Sequence, residues 1–542
     1  MIGIATVVAL GIRLFTLSRP GFLAQSTEYD DGVYLGGAIR LTQGVMPYHD
    51  YAFVQPPGIL LLMTPVALVA RATSTAAGLA LARVLTALAS TACVPLAGHL
   101  VRRRGILATA LTCAILAVYP ADIASAHTLL LEPWMNLLCL LGANAAFSRG
   151  RLTDCTSRLV WAGAALGFAS VVKYWAMAPA AVLLVCCLLV ADQHRVRRLV
   201  AYVSALAVAF VVPSLPFAIY AGPSLYFRST VTYQAARAGS PVPFSLRLAH
   251  ITGLTDLLNG SGHIAWAGGS SLFAQSVVAD TIPAQPGALA YLVALVLAVI
   301  IAAGLVLGRR DIMPADWFAL GTVVIALIAI CVYSAFFYHY PAFPGPWLAI
   351  IAGIALSTLV RRLTPAGRPS AISLVASVLG AAMVIQLIQV SETTLPAGWN
   401  QISTAIPPGA CVFSDQVSLL IASDRFEAAR PDCPVVIDSL ATTLVLTHGV
   451  SSQAGAAKNA KAKAAWRAII SKAQYVWLSP NVWHHLPWRD GYPPSWFSAQ
   501  YRQIAPATGY IPGLGTLYIR RLTGLPEAYH SGYAEGEGLL GV

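Results

Sequence analysis

Charge is what this chain has least of. Asp, Glu, Lys and Arg together make up 10% of its 542 residues while apolar residues make up 57%, a balance that excludes an ordinary soluble globular protein of this length. A mean hydropathy of +0.69 agrees. Lysine is nearly missing: Lys173 stands alone in the apolar part, and Lys458, Lys461, Lys463 and Lys472 lie near the C-terminus. The net charge of +12 therefore rests on arginines. These cluster in short links between apolar runs, the pattern that orients membrane spans rather than one that binds nucleic acid. No Gly-x-x-x-x-Gly-Lys-Ser/Thr loop, His-Glu-x-x-His pair, paired Cys-x-x-Cys or Gly-x-Ser-x-Gly elbow occurs, which sets aside phosphate-loop ATP chemistry, zinc peptidases and serine hydrolases.

What the chain has is apolar runs, each near the ~20 residues that cross a bilayer. They fall at about 2–17, 78–100, 106–120, 133–148, 157–172, 175–192, 198–220, 287–307, 315–337, 342–360 and 370–391, which predicts eleven transmembrane helices. The run at 57–72 opens with Pro56-Pro57-Gly58 and is short. Leaving it as a juxtamembrane helix sends Arg102–Arg104, Arg149/Arg151, Arg195/Arg197/Arg198, Arg309/Arg310 and Arg361/Arg362 all to the cytoplasm, as the positive-inside rule asks. Loops 18–77, 119–132, 221–286 and 338–341, and the tail from 392, then emerge on the outer face. Residues 2–17 lack a basic leader and a small-residue cleavage site, so they read as a retained first span.

The expected fold is a polytopic α-helical membrane domain over 1–391 followed by a small extracytoplasmic α/β domain over 392–542. In the tail, β-like runs (411–413, 435–438, 475–478, 517–519) alternate with a helix-like stretch at 456–473, and the Gly-rich end reads as disordered. Seven cysteines sit in or beside apolar runs without metal-ligand spacing. Cys411 and Cys433 lie in the polar tail, where an outward location makes a disulfide between them plausible.

The outer loops carry the chemistry. The first reads Glu28-Tyr29-Asp30-Asp31-Gly32-Val33-Tyr34, then Pro47-Tyr48-His49-Asp50, then Gln55-Pro56-Pro57-Gly58. An acidic pair, a Tyr three residues on, a Pro-Tyr-x-Asp turn and a Pro-Pro opening a half-inserted helix together resemble the first periplasmic loop of GT-C glycosyltransferases. That superfamily includes protein O-mannosyltransferases, lipid A aminoarabinose transferases and actinobacterial envelope mannosyl- and arabinosyltransferases. The resemblance implies that Asp30 is the catalytic base and that Asp31 fills the slot of its acidic neighbour. The aminoarabinose transferases have Glu-Lys before the proline, where this chain has Val54-Gln55, so Gln55 takes a position that contacts donor in the relatives. Independently, sugar transfer from a lipid phosphate to a hydroxyl calls for a base, and a carboxylate near other negative charge is suited to that task. The plainer alternative is that Asp30 and Asp31 cap a juxtamembrane helix.

Glu132, before Pro133, resembles the superfamily's second acidic position, which holds substrate or a divalent metal; with Asp31 it is the metal-ligand candidate, and no cofactor is otherwise implied. Its plainer reading is a helix-start carboxylate, and His127 beside it reads as a solvated loop residue. A leaving phosphate calls for cations. Lys173 at a turn between spans, Arg237 with Gln234 on an interfacial helix beginning near Tyr226, and His339 with Tyr340 in an aromatic-His-Tyr-Pro span end are the candidates. Their alternatives are snorkelling, lipid-headgroup contact and the aromatic belt.

The function expected is inverting transfer of a sugar from a polyprenyl-phosphate donor to an extracytoplasmic envelope glycan. The Pro-Pro-Gly-Ala-Cys-Val-Phe-Ser-Asp and Asp-Cys-Pro-Val-Val-Ile-Asp segments of the tail resemble actinobacterial members, which implies mannose as the sugar and lipoarabinomannan as a type of acceptor, with arabinofuranosyl transfer the nearest rival. The partners implied are the lipid-linked donor, the glycan acceptor, which the tail helps to choose, and membrane lipid. A transporter or lipid flippase is the rival from another class, but such proteins place ionisable groups near mid-bilayer and show related halves. A non-catalytic scaffold would leave Asp30, Glu132, Lys173 and His339 without a shared purpose.

Overall fold

All eleven apolar runs wind into helix, the conformation that satisfies backbone N–H and C=O groups without water. The computed structural model describes residues 1–190, 195–236, 242–254, 286–392, 398–450, 455–480, 482–488, 494–507 and 514–521; Arg237 and the Gly-rich end lie outside these. The main helices are α1 (Ile2–Leu17), α2 (Tyr29–Thr42), α3 (Gly58–Ala72), α4 (Thr75–Val101), α5 (Ile106–Val118), α6 (Pro120–Ala126), α7 (Leu131–Ala146), α8 (Thr156–Val172), α9 (Met177–Leu189), α10 (Arg195–Ala221), α11 (Phe244–Thr252), α12 (Pro286–Leu307), α13 (Pro314–Val332), α14 (Gly345–Arg362) and α15 (Gly367–Glu392).

Five described helices are long and apolar enough to cross a bilayer: Thr75–Arg104, Arg195–Ala221, Gly287–Leu307, Pro314–Val332 and Gly367–Ile388. The pair α5 and α6, bent by 53°, makes a sixth if taken together. Eleven crossings are therefore not met by length alone. Helices α1, α7, α8, α9 and α14 have 16, 16, 17, 13 and 18 residues, about 20–27 Å at 1.5 Å per residue.

The basic links gather at one end of the bundle. Arg104 pairs with Asp316, Arg361 donates to the Arg104 carbonyl at 3.2 Å, Arg362 donates to the Leu307 carbonyl at 3.1 Å, and Ala315 N donates to the Gly150 carbonyl at 3.1 Å. The opposite end carries α2, α3 and the tail. Helix α3 begins where Gly58 lies against the Val171–Val172 backbone at the end of α8. The chain beyond it, at Thr75, is held by Asp424 and Ile421 of the tail, with Thr75 N donating to Asp424 Oδ1 at 2.7 Å.

The tail builds a four-stranded mixed sheet. Strand β3 (Val412–Ser414) runs parallel to β4 (Tyr475–Leu478), which pairs antiparallel with β6 (Thr516–Arg520), which pairs antiparallel with β5 (Tyr501–Ala505), β1 and β2 being a two-residue hairpin at Phe147–Ser148 and Arg151–Leu152. Every residue of β3 and β4 is buried, as strands covered on both faces should be. The helix Ala460–Ile470, capped by Asn459, buries Trp466 on Phe413. One expectation needs correction, and one strand was not expected. Residues 435–438 form no strand; Asp438 instead caps Ser439–Leu446, accepting from Ala441 N at 2.8 Å. Strand β5 escaped notice because Arg502 and Gln503 interrupt its apolar pattern. Cys411 and Cys433 are joined by a disulfide.

The tail is not loosely tethered. It packs on α2, where a Cβ at Gly32 would come within 2.1 Å of Ser418 N. Around that contact Ser26 Oγ and Ser418 Oγ lie 2.8 Å apart, Gln416 Nε2 donates to Ser26 Oγ at 3.2 Å, and Gln43 Nε2 donates to Glu427 Oε1 at 2.6 Å.

Candidate active site

The acidic loop enters α2 as a capped helix, and the cap is Glu28 rather than either aspartate. Glu28 is extended, and its Oε1 accepts from Tyr29 N at 3.0 Å. Asp30 and Asp31 occupy the first turn, where the helix dipole favours negative charge. Their side chains are thereby released for different bonds.

Asp31 is fully buried. Its Oδ2 takes Arg83 Nη2 at 2.5 Å and its Oδ1 takes Leu129 N at 2.5 Å, so it ties the first loop to α4 and to the 119–132 loop. Arg83, also fully buried, donates further to the Phe22 and Gln25 carbonyls and to Thr27 Oγ1. Each oxygen of Asp31 thus already accepts from a protein donor. Sequence reading passed over Arg83, although a single arginine inside the 78–100 apolar run was the available signal.

Asp30 is half-buried, and Tyr34 donates to its Oδ2 at 3.1 Å, one turn along the same helix. The second oxygen of neighbouring Glu28, Oε2, accepts from Tyr338 Oη at 2.8 Å. That bond carries the first loop across to the 338–341 segment. Next to Tyr338, His339 Nδ1 lies 3.0 Å from Glu132 Oε1 without hydrogen-bond alignment, and Lys173 pairs with the same oxygen. Lys173 also sits 4.3 Å from the Trp175 ring centroid and 4.6 Å from that of Tyr340, with those two rings edge to face at 4.4 Å. The segment that carries Asp30 is thus tied through Glu28 to Tyr338, and next to Tyr338 the residues Glu132, Lys173, His339 and Tyr340 meet.

Burial first, and the Asp30 charge second, push the Glu28 carboxyl from the usual 4.5 up to about 8. Two donors, from Tyr338 and Tyr29, oppose this and are outweighed. Glu28 was read in the sequence only as part of a motif, and its pairing with Tyr338 had no sequence signal. His127 is buried rather than solvated.

Gln234 Nε2 donates to the backbone carbonyl of Val54, next to Gln55, at 2.7 Å; the backbone carbonyl of Gln234 accepts from Tyr333 Oη at 2.5 Å, and that of Gln55 accepts from Tyr48 Oη at 2.6 Å. Arg237 lies outside the described residues. Asp31 and Glu132 each face a basic partner, and no group of three metal-ligating side chains occurs among the described residues.

No family model and no curated protein matches the sequence. Among solved structures, the chain resembles ArnT from Cupriavidus metallidurans bound to undecaprenyl phosphate, with 15% identity and a TM-score of 0.55 over 96% of this chain and 98% of that one. It also resembles the Archaeoglobus fulgidus oligosaccharyltransferase in its apo form, with 12% identity and a TM-score of 0.55 over 88% of this chain and 69% of that one. The AglB oligosaccharyltransferase of the same organism, complexed with an inhibitory peptide and a dolichol-phosphate, matches with 12% identity and a TM-score of 0.52 over 96% and 75%. These alignments span 88–96% of the chain, which shares the fold of these proteins.

Proposed function

We propose that this protein is an inverting glycosyltransferase that moves a sugar from a polyprenyl-phosphate donor to an acceptor hydroxyl, with its site and tail on the extracytoplasmic side of a multi-span membrane domain of eleven crossings. The observation that carries this is the junction of the acidic first loop with Lys173 and His339 through Glu28, Tyr338 and Glu132. Base and cations must flank one anomeric carbon, and a junction of this kind supports that reading. The fold shared with a protein crystallised on undecaprenyl phosphate supports a lipid-phosphate donor.

In this reading Asp30 takes the proton from the acceptor hydroxyl as its oxygen attacks the anomeric carbon. The bond from that carbon to the phosphate oxygen breaks, and polyprenyl phosphate leaves with the electron pair. Glu132 uses one of the three N–H donors of Lys173, and the aromatic walls fix the ammonium while leaving the remaining donors for the leaving phosphate. His339, Gln55 and Gln234 are assigned to the donor side, and Arg237 is assigned there on its sequence alone. Mannose is the sugar and an envelope glycan such as lipoarabinomannan the acceptor we assign, on the tail segments that resemble actinobacterial transferases. The test is to incubate the purified protein with radiolabelled polyprenyl-phosphomannose and, separately, polyprenyl-phosphoarabinose. Label is expected to move to glycan from the first; transfer from the second alone would reassign the sugar, and transfer from neither would overturn the reading.

A further inference from the structure

The residue just before the proposed base is gripped by the tail on two sides. The ring of Tyr29 lies 4.5 Å from that of His485, with the planes at 31°. Its hydroxyl donates to Asp438 Oδ1 at 2.9 Å and accepts from Leu440 N at 3.2 Å. His485 is buried, its Nδ1 2.8 Å from Oδ2 of buried Asp415. Asp415 also accepts from Ser479 N at 2.7 Å and from Ser479 Oγ at 2.5 Å. The two grips belong to one unit, because Thr443, on the helix that Asp438 caps, donates to the His485 carbonyl at 2.7 Å. A carboxylate and an imidazole carry a desolvation penalty that an apolar ring would avoid, so packing alone does not explain them. What they add is a fixed ring orientation.

We propose that His485, oriented by Asp415, is a positioning residue for sugar transfer: it fixes the face of Tyr29 and so sets where Asp30 points. This rests on the reading of Asp30 as the base. The tail then acts on the reaction itself, through the backbone it clamps, in addition to any choice of acceptor.

Steady-state transfer by the full-length protein in detergent tests this, using whichever labelled polyprenyl-phosphate sugar the unaltered protein accepts. His485→Ala should lower kcat per folded molecule about 10–100-fold, as a small misplacement of a reacting group does, with donor KM within about twofold. His485→Phe, which keeps a ring against Tyr29 but offers no nitrogen for Asp415 to orient, should recover little of the loss, and full recovery would show that packing alone suffices. Tyr29→Leu should reproduce it, and combining Tyr29→Leu with His485→Ala should cost no more than either alone. Unchanged kcat in His485→Ala, additive losses in the pair, or a defect confined to acceptor KM would each overturn the inference. If His485→Ala does not fold, the same cycle run with His485→Phe and Tyr29→Leu decides. An unaltered protein that transfers no sugar would sink the functional reading instead.

Discussion

Glu28 is a carboxyl that folding makes reluctant to ionise. Its folded value of about 8 lies above the ordinary 4.5, so between those two values the native state holds a proton that the unfolded chain has released. Stability from this group is complete below about pH 4.5 and declines as pH rises toward 8, then levels. Glu28→Gln removes the titration while retaining an acceptor for Tyr29 N. Thermal unfolding of the two proteins in detergent from pH 4.5 to 9 should therefore show a falling Tm for the parent that flattens in the variant; parallel curves would show that Glu28 is ionised throughout.

At the scale of elements, α2 is held by the tail more tightly than a tethered module would hold it. Gly32 lies in ordinary helix, and only its missing side chain admits the Ser418 backbone. Gly32→Ala should cost about 1–3 kcal/mol by overpacking. It should also make residues 398–450 more sensitive to limited proteolysis; unchanged stability and cleavage would mean that the docking yields easily. The close packing also changes what removal of the tail would do. Losing 400–542 strips Ser418, Asp438 and His485 from the loop that carries Asp30, so donor handling should fall together with acceptor use. Which elements form was largely legible in the sequence, since apolar runs in a membrane chain have one structural outcome. Where those elements stop was less so. Helix α9, predicted over 175–192, ends at Leu189, and 435–438 lost its strand because Asp438 is a stronger cap than its neighbours are strand formers.

For the whole molecule, the sequence reading put Asp30, Glu132, Lys173 and His339 in loops that sidedness assigns to one face; in the fold Lys173 and His339 both lie against Glu132, and Glu28, two residues before Asp30, bonds Tyr338 next to His339. The sequence could not place Asp31 or Glu28. Their roles depend on Arg83 and Tyr338, which are 52 and 310 residues distant in the chain, and pairings of that range leave no local pattern. The basic links gather at one end of the bundle, with Asp316 among them, while Glu28, Asp30, Asp31 and Glu132 lie toward the other. The most direct measurement is the transfer rate of Asp30→Asn beside its binding of the polyprenyl-phosphate donor. The account predicts folded protein that still binds donor while transfer drops by at least about 10²-fold, the scale of a lost general base. Transfer at the parent rate would contradict it.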